Sequence, residues 1–186
     1  MITSDHGEEF KEHGQFFHKQ LYYRPNLHVP LIIRMPDYPR RQIRIKELVQ
    51  SIDLLPTIVE FAGLPPHSEA QGRSLLPVIG QNTKFVDNLL QKISRPFRKN
   101  AHFSFAEYKS KNQSRSIITD DGYQLIYNIN LDRTSLFNLN NDPLAQNNIA
   151  GAHSDITQGL SSHLKKLYDT KPNHIASKID LVPFCV

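Results

Sequence analysis

Asp5 and His6 stand side by side, with Gly7 behind them, at the end of a short apolar stub. A carboxylate oxygen and an imidazole nitrogen placed this way can hold a divalent cation, and glycine lets the backbone turn sharply beneath them. Two ligands do not complete a site. A metal that works on an anionic ester needs further oxygen or nitrogen donors and an open position. About one loop further on come His18 and Lys19. A cation, a Lys or a His aimed at the oxygens of a sulfate or phosphate ester stabilises the negative charge that develops there, and a His can donate a proton near neutral pH. Each of these residues also has a plainer reading. Asp5-His6-Gly7 alone is an ordinary strand-to-loop turn, His18 a polar loop residue and Lys19 a solvent-facing charge. Glu8, Glu9 and Glu12 are available as metal oxygens, but closely spaced acids on a polar loop are usually solvated. His13 reads as loop structure or surface, and the remaining histidines show no ligand spacing.

The elements that must position these groups fall into two zones. Over residues 1–79 the pattern is α/β: a stub like the end of a strand, a polar loop rich in His and Glu, then the apolar run from Val29 to Arg34, of the kind buried in a parallel sheet. A helix follows from Ser51 to Gly63, with Asp53 as its cap, Pro56 in the tolerant first turn and Gly63 closing it. Leu54, Leu55, Ile58, Val59 and Ala62 share one helical face, which predicts packing against a core. After Pro65-Pro66 and an amphipathic helix over residues 85–93, the character becomes antiparallel β. Strands are expected over residues 101–108, 114–119, 123–129 and 135–139, with a turn at Asp120-Asp121-Gly122. A last helix over residues 154–168 carries Ile156, Leu160, Leu164 and Leu167 at helical spacing.

Bulk composition narrows the function. With 186 residues, 39% of them hydrophobic, the chain suffices for one or two domains with a real core. One Cys argues against a disulfide scaffold, and no apolar run approaches the ~20 residues of a membrane span. No basic and apolar export signal is visible at the start. The net charge of +4 favours anionic partners weakly, and the short basic clusters come without a nucleic-acid motif.

Several segments, in order, resemble the sulfatases of the alkaline phosphatase superfamily. They are residues 3–14, from Thr3-Ser4-Asp5-His6-Gly7 to Glu12-His13-Gly14; His18 with Leu21-Tyr22; Val29-Pro30-Leu31-Ile32-Ile33; Ser51-Ile52-Asp53-Leu54-Leu55-Pro56-Thr57; and Gln71-Gly72-Arg73-Ser74-Leu75. Near the other end, Leu136-Phe137-Asn138-Leu139, Asn141-Asp142-Pro143 and Gln146-Asn147-Asn148 are similar to the family's "DPxExxNL" segment.

The resemblance implies an α/β chain, the C-terminal part of an alkaline-phosphatase-like sulfatase fold over residues 1–98, followed by a small antiparallel subdomain with a terminal helix over residues 99–186. It implies that Asp5 and His6 bind a divalent cation, usually calcium, and that His18 or Lys19 contacts the sulfate. In the family the other carboxylate ligands come from an earlier segment. So does the nucleophile, a formylglycine made within a C-x-P-x-R or S-x-P-x-R motif. This chain lacks that motif, its one Cys being Cys185. The resemblance therefore implies a C-terminal portion of a sulfuric ester hydrolase, inactive alone, with the N-terminal half or an oligomer partner completing it. The intact enzyme would take a sulfated small molecule or glycan, not nucleic acid, and relatives are commonly exported. Two other readings stay open: a non-catalytic remnant that only packs against a partner, and a related phosphoester hydrolase or phosphoglycerol or phosphoethanolamine transferase. The family's pattern, a Gly after the His or a Lys at the His position, is departed from where Lys19 follows His18, and again at Tyr23, which replaces an acid.

Overall fold

A computed structural model describes residues 1–19, 22–35, 42–81, 103–108 and 113–169. The chain opens with a hairpin of two short strands, β1 (Glu9–Phe10) and β2 (Phe16–Phe17), and a short helix α1 (Arg24–Leu27). A 3-10 turn (Ser51–Asp53) leads into α2 (Leu54–Phe61), and α3 (Leu76–Gln81) follows. Then come β3 (Phe103–Tyr108), β4 (Ser114–Thr119), β5 (Tyr123–Asn128), β6 (Arg133–Asn138) and the long helix α4 (Ser154–Asp169). The helix expected over residues 85–93 lies outside the described residues.

The four long strands form one antiparallel meander in the order β3-β4-β5-β6. Alternation along each strand sends neighbouring side chains to opposite faces, and both faces are covered. Ile117, Leu125 and Leu136 point one way and pack on Leu164, Leu160 and Ile156 of α4. Ile126 and Phe137 point the other way onto Tyr22 and Ala145, and Ile118 and Ala106 onto Leu27. The β4–β5 turn depends on Gly122. Its φ is +89°, and a side chain there would meet the Asn140 amide at 2.6 Å.

Polar groups tie the first zone to this sheet. Buried Gln124 donates from Nε2 to the Tyr22 carbonyl at 2.8 Å and to Ser116 Oγ at 2.9 Å. At the β3 edge, the Gln50 amide takes the Phe105 N–H at 3.1 Å and gives a bond to the Phe103 carbonyl at 3.2 Å. That pairing blunts an edge that would otherwise present bare backbone groups.

Three expectations change. The run from Val29 to Arg34 forms no strand buried on both faces. It touches Ile2 through one antiparallel bridge at Ile32, two bonds of 2.8 Å, and Ile32 is 58% exposed. A buried parallel strand requires neighbours on both sides, and among the described residues the bridge to Ile2, antiparallel and on one side, is the pairing it makes. The α2 face also stays open, with Leu55 51% and Ile58 52% exposed beside exposed Phe61. The buried residue of α2 is Thr57. Asp53 does not cap α2 with its side chain. Its carboxylate instead takes the N–H groups of Gln50 at 2.9 Å and Arg73 at 2.8 Å. Gly63 does close α2, at φ +67°, with its N–H on the Glu60 carbonyl.

Candidate functional site

Asp5 and His6 lie on the loop before β1, seated on α1. The Gly7 N–H donates to the Asn26 carbonyl at 2.8 Å, and a Cβ on Gly7 would stand 2.1 Å from the Pro25 carbonyl oxygen. Only glycine lets the loop approach α1 so closely. Asp5 is exposed, and its Oδ1 accepts the His6 N–H at 3.0 Å. Its carboxyl is held below the ordinary range, first by its own backbone N–H, then by that of His6 and by the His6 ring. His6 Nδ1 lies 2.8 Å from the Gly7 carbonyl oxygen. A carbonyl only accepts, so Nδ1 carries the hydrogen and Nε2 keeps its lone pair. Nε2 stands 3.8 Å from Asp5 Oδ2.

The hairpin brings His18 back to this loop. β1 and β2 pair Glu9 with Phe17 and Phe10 with Phe16, across a turn where the Lys11 N–H meets the Gln15 carbonyl at 2.9 Å. Phe17 adopts φ +68°, a left-handed conformation that costs a non-glycine residue roughly 1–2 kcal/mol. Such conformations cluster at active sites, ligand clamps and switch regions, where the surrounding structure holds them. Here the next residue, His18, puts Nδ1 2.9 Å from Glu8 Oε1, and its ring lies 4.2 Å from that of His6. His6, Glu8 and His18 each offer a ligand atom, all within 4.8 Å of one another. Glu8 Oε2 is enclosed and has no hydrogen-bond partner, which leaves a carboxylate oxygen available. Lys19 follows, exposed.

Of the residues singled out by type, His6, Glu8 and His18 are therefore gathered, and Asp5 stands beside them through His6. The acids do not behave alike. Glu9 is 1% exposed rather than solvated, because alternation in β1 turns it inward as Glu8 turns outward. It meets His13, whose other nitrogen reaches Ala145, so His13 is loop structure with a defined partner. The alternation of Glu8 and Glu9 ahead of Phe10 was the available signal, though two residues are too short a strand to read.

Beside Arg24 of α1 opens a groove of about 590 Å³, with Arg24, Arg44 and Lys46 as its cations and Leu48, Ile118 and Leu139 among its apolar lining. His28 also lines it, and its imidazole is pushed below the ordinary range by burial and then by the Arg24 charge.

A histidine-bearing hairpin and short helices at the start of the chain, a four-stranded antiparallel sheet and a closing helix make a fold shared with part of solved sulfatase structures. The chain belongs to the N-sulphoglucosamine sulphohydrolase C-terminal family, whose model matches residues 11–170. It is 30% identical over 172 residues to arylsulfatase K of Bos taurus, covering 90% of this chain and 30% of that protein. It is 29% identical over 183 residues to the N-acetylglucosamine-6-O-sulfatase of Bacteroides thetaiotaomicron, covering 93% and 31%. The chain thus spans about a third of the length of the curated relatives it matches. A solved 2-O GAG sulfatase superposes with a TM-score of 0.76 at 20% identity, over 96% of this chain and 37% of that one, a likeness of fold. A protein solved in complex with its substrate D-glucosamine-2-N,6-O-disulfate gives 0.64 at 24% identity, over 96% and 35%.

Proposed function

We propose that this chain supplies half of the site of a sulfuric ester hydrolase, with Asp5 and His6 as ligands of a divalent cation and His18 and Lys19 as the groups facing the sulfate. The observation that carries the reading is the Asp5–His6 geometry. The Gly7 carbonyl fixes the Nδ1–H tautomer of His6, and the free Nε2 lies 3.8 Å from Asp5 Oδ2, a spacing that two ligands of one cation can share. Family resemblance points to calcium, which takes 6–8 oxygen-rich ligands, so most of its shell must come from outside this loop. A cation there would draw on the negative charge that develops on the ester oxygens. This chain's own part is to hold that charge in place. His18, its Nδ1 held by Glu8 Oε1, would offer Nε2–H to a sulfate oxygen or pass that proton to the leaving oxygen, and the Lys19 ammonium would donate beside it.

The nucleophile, a formylglycine in the resembling family, and the remaining carboxylates would come from a preceding half of the catalytic domain. The open apolar surface supports such a partner. Ile2, Ile32, Leu55, Ile58, Phe61 and Leu64 are all exposed, on the bridge and helix that a larger α/β sheet would cover. The substrate class is a sulfated sugar or glycan, by analogy with relatives named for such activities. Residues 1–98 would then be the end of the catalytic domain and 99–186 its C-terminal subdomain.

Complementation tests the reading. Supplied in trans with a sulfatase N-terminal half carrying the C-x-P-x-R motif, the chain should restore aryl sulfate hydrolysis, and Asp5→Ala should lower it roughly a hundredfold or more. Restored hydrolysis indifferent to Asp5 and His6 would sink the assignment, and preference for a phosphate over a sulfate ester would move it to the phosphoester branch. The chain alone should show no turnover with calcium. An Asp5-dependent rate from the isolated chain would overturn the divided site.

A further inference from the structure

We propose that Glu9 and His13 are positioning residues, which hold the His6–Glu8–His18 group in place by hooking the β1–β2 hairpin onto the carbonyl of Ala145. The inference rests on the sulfatase reading only in treating that group as the site. The contact itself stands on geometry. His13 lies in the turn of the hairpin, and its ring Nε2 is 2.9 Å from the Ala145 oxygen, 132 residues away in sequence. Its Nδ1 bonds Glu9 Oε1. The Glu9 side chain is wholly enclosed, and that of His13 is 9% exposed. The Ala145 carbonyl can only accept, so Nε2 carries a hydrogen. Both ends of the imidazole are thereby tied, one to the hairpin and one to the loop after β6.

Neighbouring contacts reinforce the hook. Tyr23 stacks on the His13 ring at 3.5 Å and 8°, and meets Phe137 of the sheet edge-on at 6.1 Å. Gln146 Nε2 donates to the Glu12 carbonyl at 3.1 Å, and Arg24 Nη1 to that of Pro143 at 3.3 Å. The receiving loop is itself wound tight. The Asp142 carboxylate takes the N–H groups of Gln146 at 3.1 Å and Asn147 at 2.7 Å, and Asn148 Oδ1 takes those of Leu136 and Ala150. This winding holds fully buried Ala145 at φ +56° with its carbonyl aimed at His13. Two motifs that the ester chemistry leaves unused, Glu12-His13-Gly14 and the Asp142 to Asn148 segment, thus meet in one contact.

The hook bears on the site through the strand pleat. Glu9 faces inward, so its neighbour Glu8 faces outward to His18, and Glu9 pairs directly with Phe17, the residue before His18. A shift of Glu9 moves both members of the Glu8–His18 bond. An apolar pair would fill the same volume at equal or lower cost in stability, but it would leave the hairpin free to rotate. Directional bonds at both ends remove that freedom.

Nuclear magnetic resonance on the full chain tests this without metal or substrate, so failure of the sulfatase reading leaves the test intact. The wild type should show a His13 ring Nε2–H, a ring-to-ring Overhauser contact between His6 and His18, and protected N–H groups at Lys11 and Gly14. In His13→Ala those two amides should exchange at least about tenfold faster and the His6–His18 contact should vanish, while β5 amides keep their protection. His13→Gln, whose amide can still donate to Ala145, should bring exchange back to within about threefold of wild type. His13→Met, which fills the volume without donating, serves if the alanine variant fails to fold, and should behave as the unhooked form. Protection and the His6–His18 contact persisting in either His13→Ala or His13→Met would overturn the proposal, as would equal loss in His13→Gln and His13→Met.

Discussion

The Asp53 carboxylate binds the backbone N–H of Arg73 at 2.8 Å, and one turn along, Thr57 Oγ1 binds that of Leu75 at 2.9 Å. Two segments that resemble sulfatase motifs, 51–57 and 71–75, are thus complementary halves of one joint. Gly72 completes it, since a Cβ there would stand 2.0 Å from the Ile52 oxygen. Asp53→Ala leaves two backbone N–H groups without acceptors, and each such loss costs about 1–3 kcal/mol. Urea unfolding should show a drop of about 2–4 kcal/mol for Asp53→Ala and a smaller one for Thr57→Val, which strands one N–H, that of Leu75, and removes the hydroxyl's bond to the Asp53 carbonyl.

Asp53 also sets a pH dependence. Burial pushes its carboxyl above the ordinary range, against the opposing pull of the Arg73 and Gln50 N–H groups. The folded chain therefore holds this proton more tightly than the unfolded one. Its contribution to stability is greatest below the ordinary carboxylate value near 3.9 and is lost as pH rises through the raised value. In Asp53→Asn that downward slope should be absent from a series of denaturation curves against pH; an unchanged slope would assign it to another group.

Gly7→Ala should uncouple the loop from α1. With a Cβ only 2.1 Å from the Pro25 oxygen, the loop must retreat and give up the Gly7–Asn26 bond. We expect the Asn26 carbonyl and His6 ring signals to shift while those of β4 and β5 stay put, with a stability loss of about 1–3 kcal/mol. Gly14→Ala, where nothing lies within 4 Å, isolates the strain of its φ of +76° and should cost about 1 kcal/mol without moving His6.

The open face of α2 predicts association. Leu55, Ile58 and Phe61 are exposed on one short helix. Replacing Leu55 and Ile58 with Lys should raise solubility and lower light scattering of the chain alone, because a contiguous apolar patch favours self-contact. The same double variant should fail to complement a sulfatase N-terminal half, though Asp5 and His6 are intact.

The residues by themselves determined the periodic parts of this protein. Alternation laid out the four strands of the sheet, Asp120-Asp121-Gly122 marked its turn, and Ile156, Leu160 and Leu164 spelled a helix that packs on Ile117, Leu125 and Leu136. Local pattern is enough there because each element buries a face against its sequence neighbours. The ordered motifs also carried the family, and with it the expectation that Asp5, His6 and His18 belong to one site. What a side chain does when its partner is far along the chain was decided only by the tertiary structure. Glu8 and Glu9 are adjacent and identical in type, yet one lines the candidate site and the other is enclosed against His13. Asp53 looked like a helix cap and instead receives Arg73, twenty residues on. The apolar run at Val29 to Arg34 and the α2 face carried the pattern of buried elements, yet much of their surface is open. Hydrophobic pattern records which surface must be covered, whereas burial depends on what arrives to cover it, and that is set by packing between distant segments.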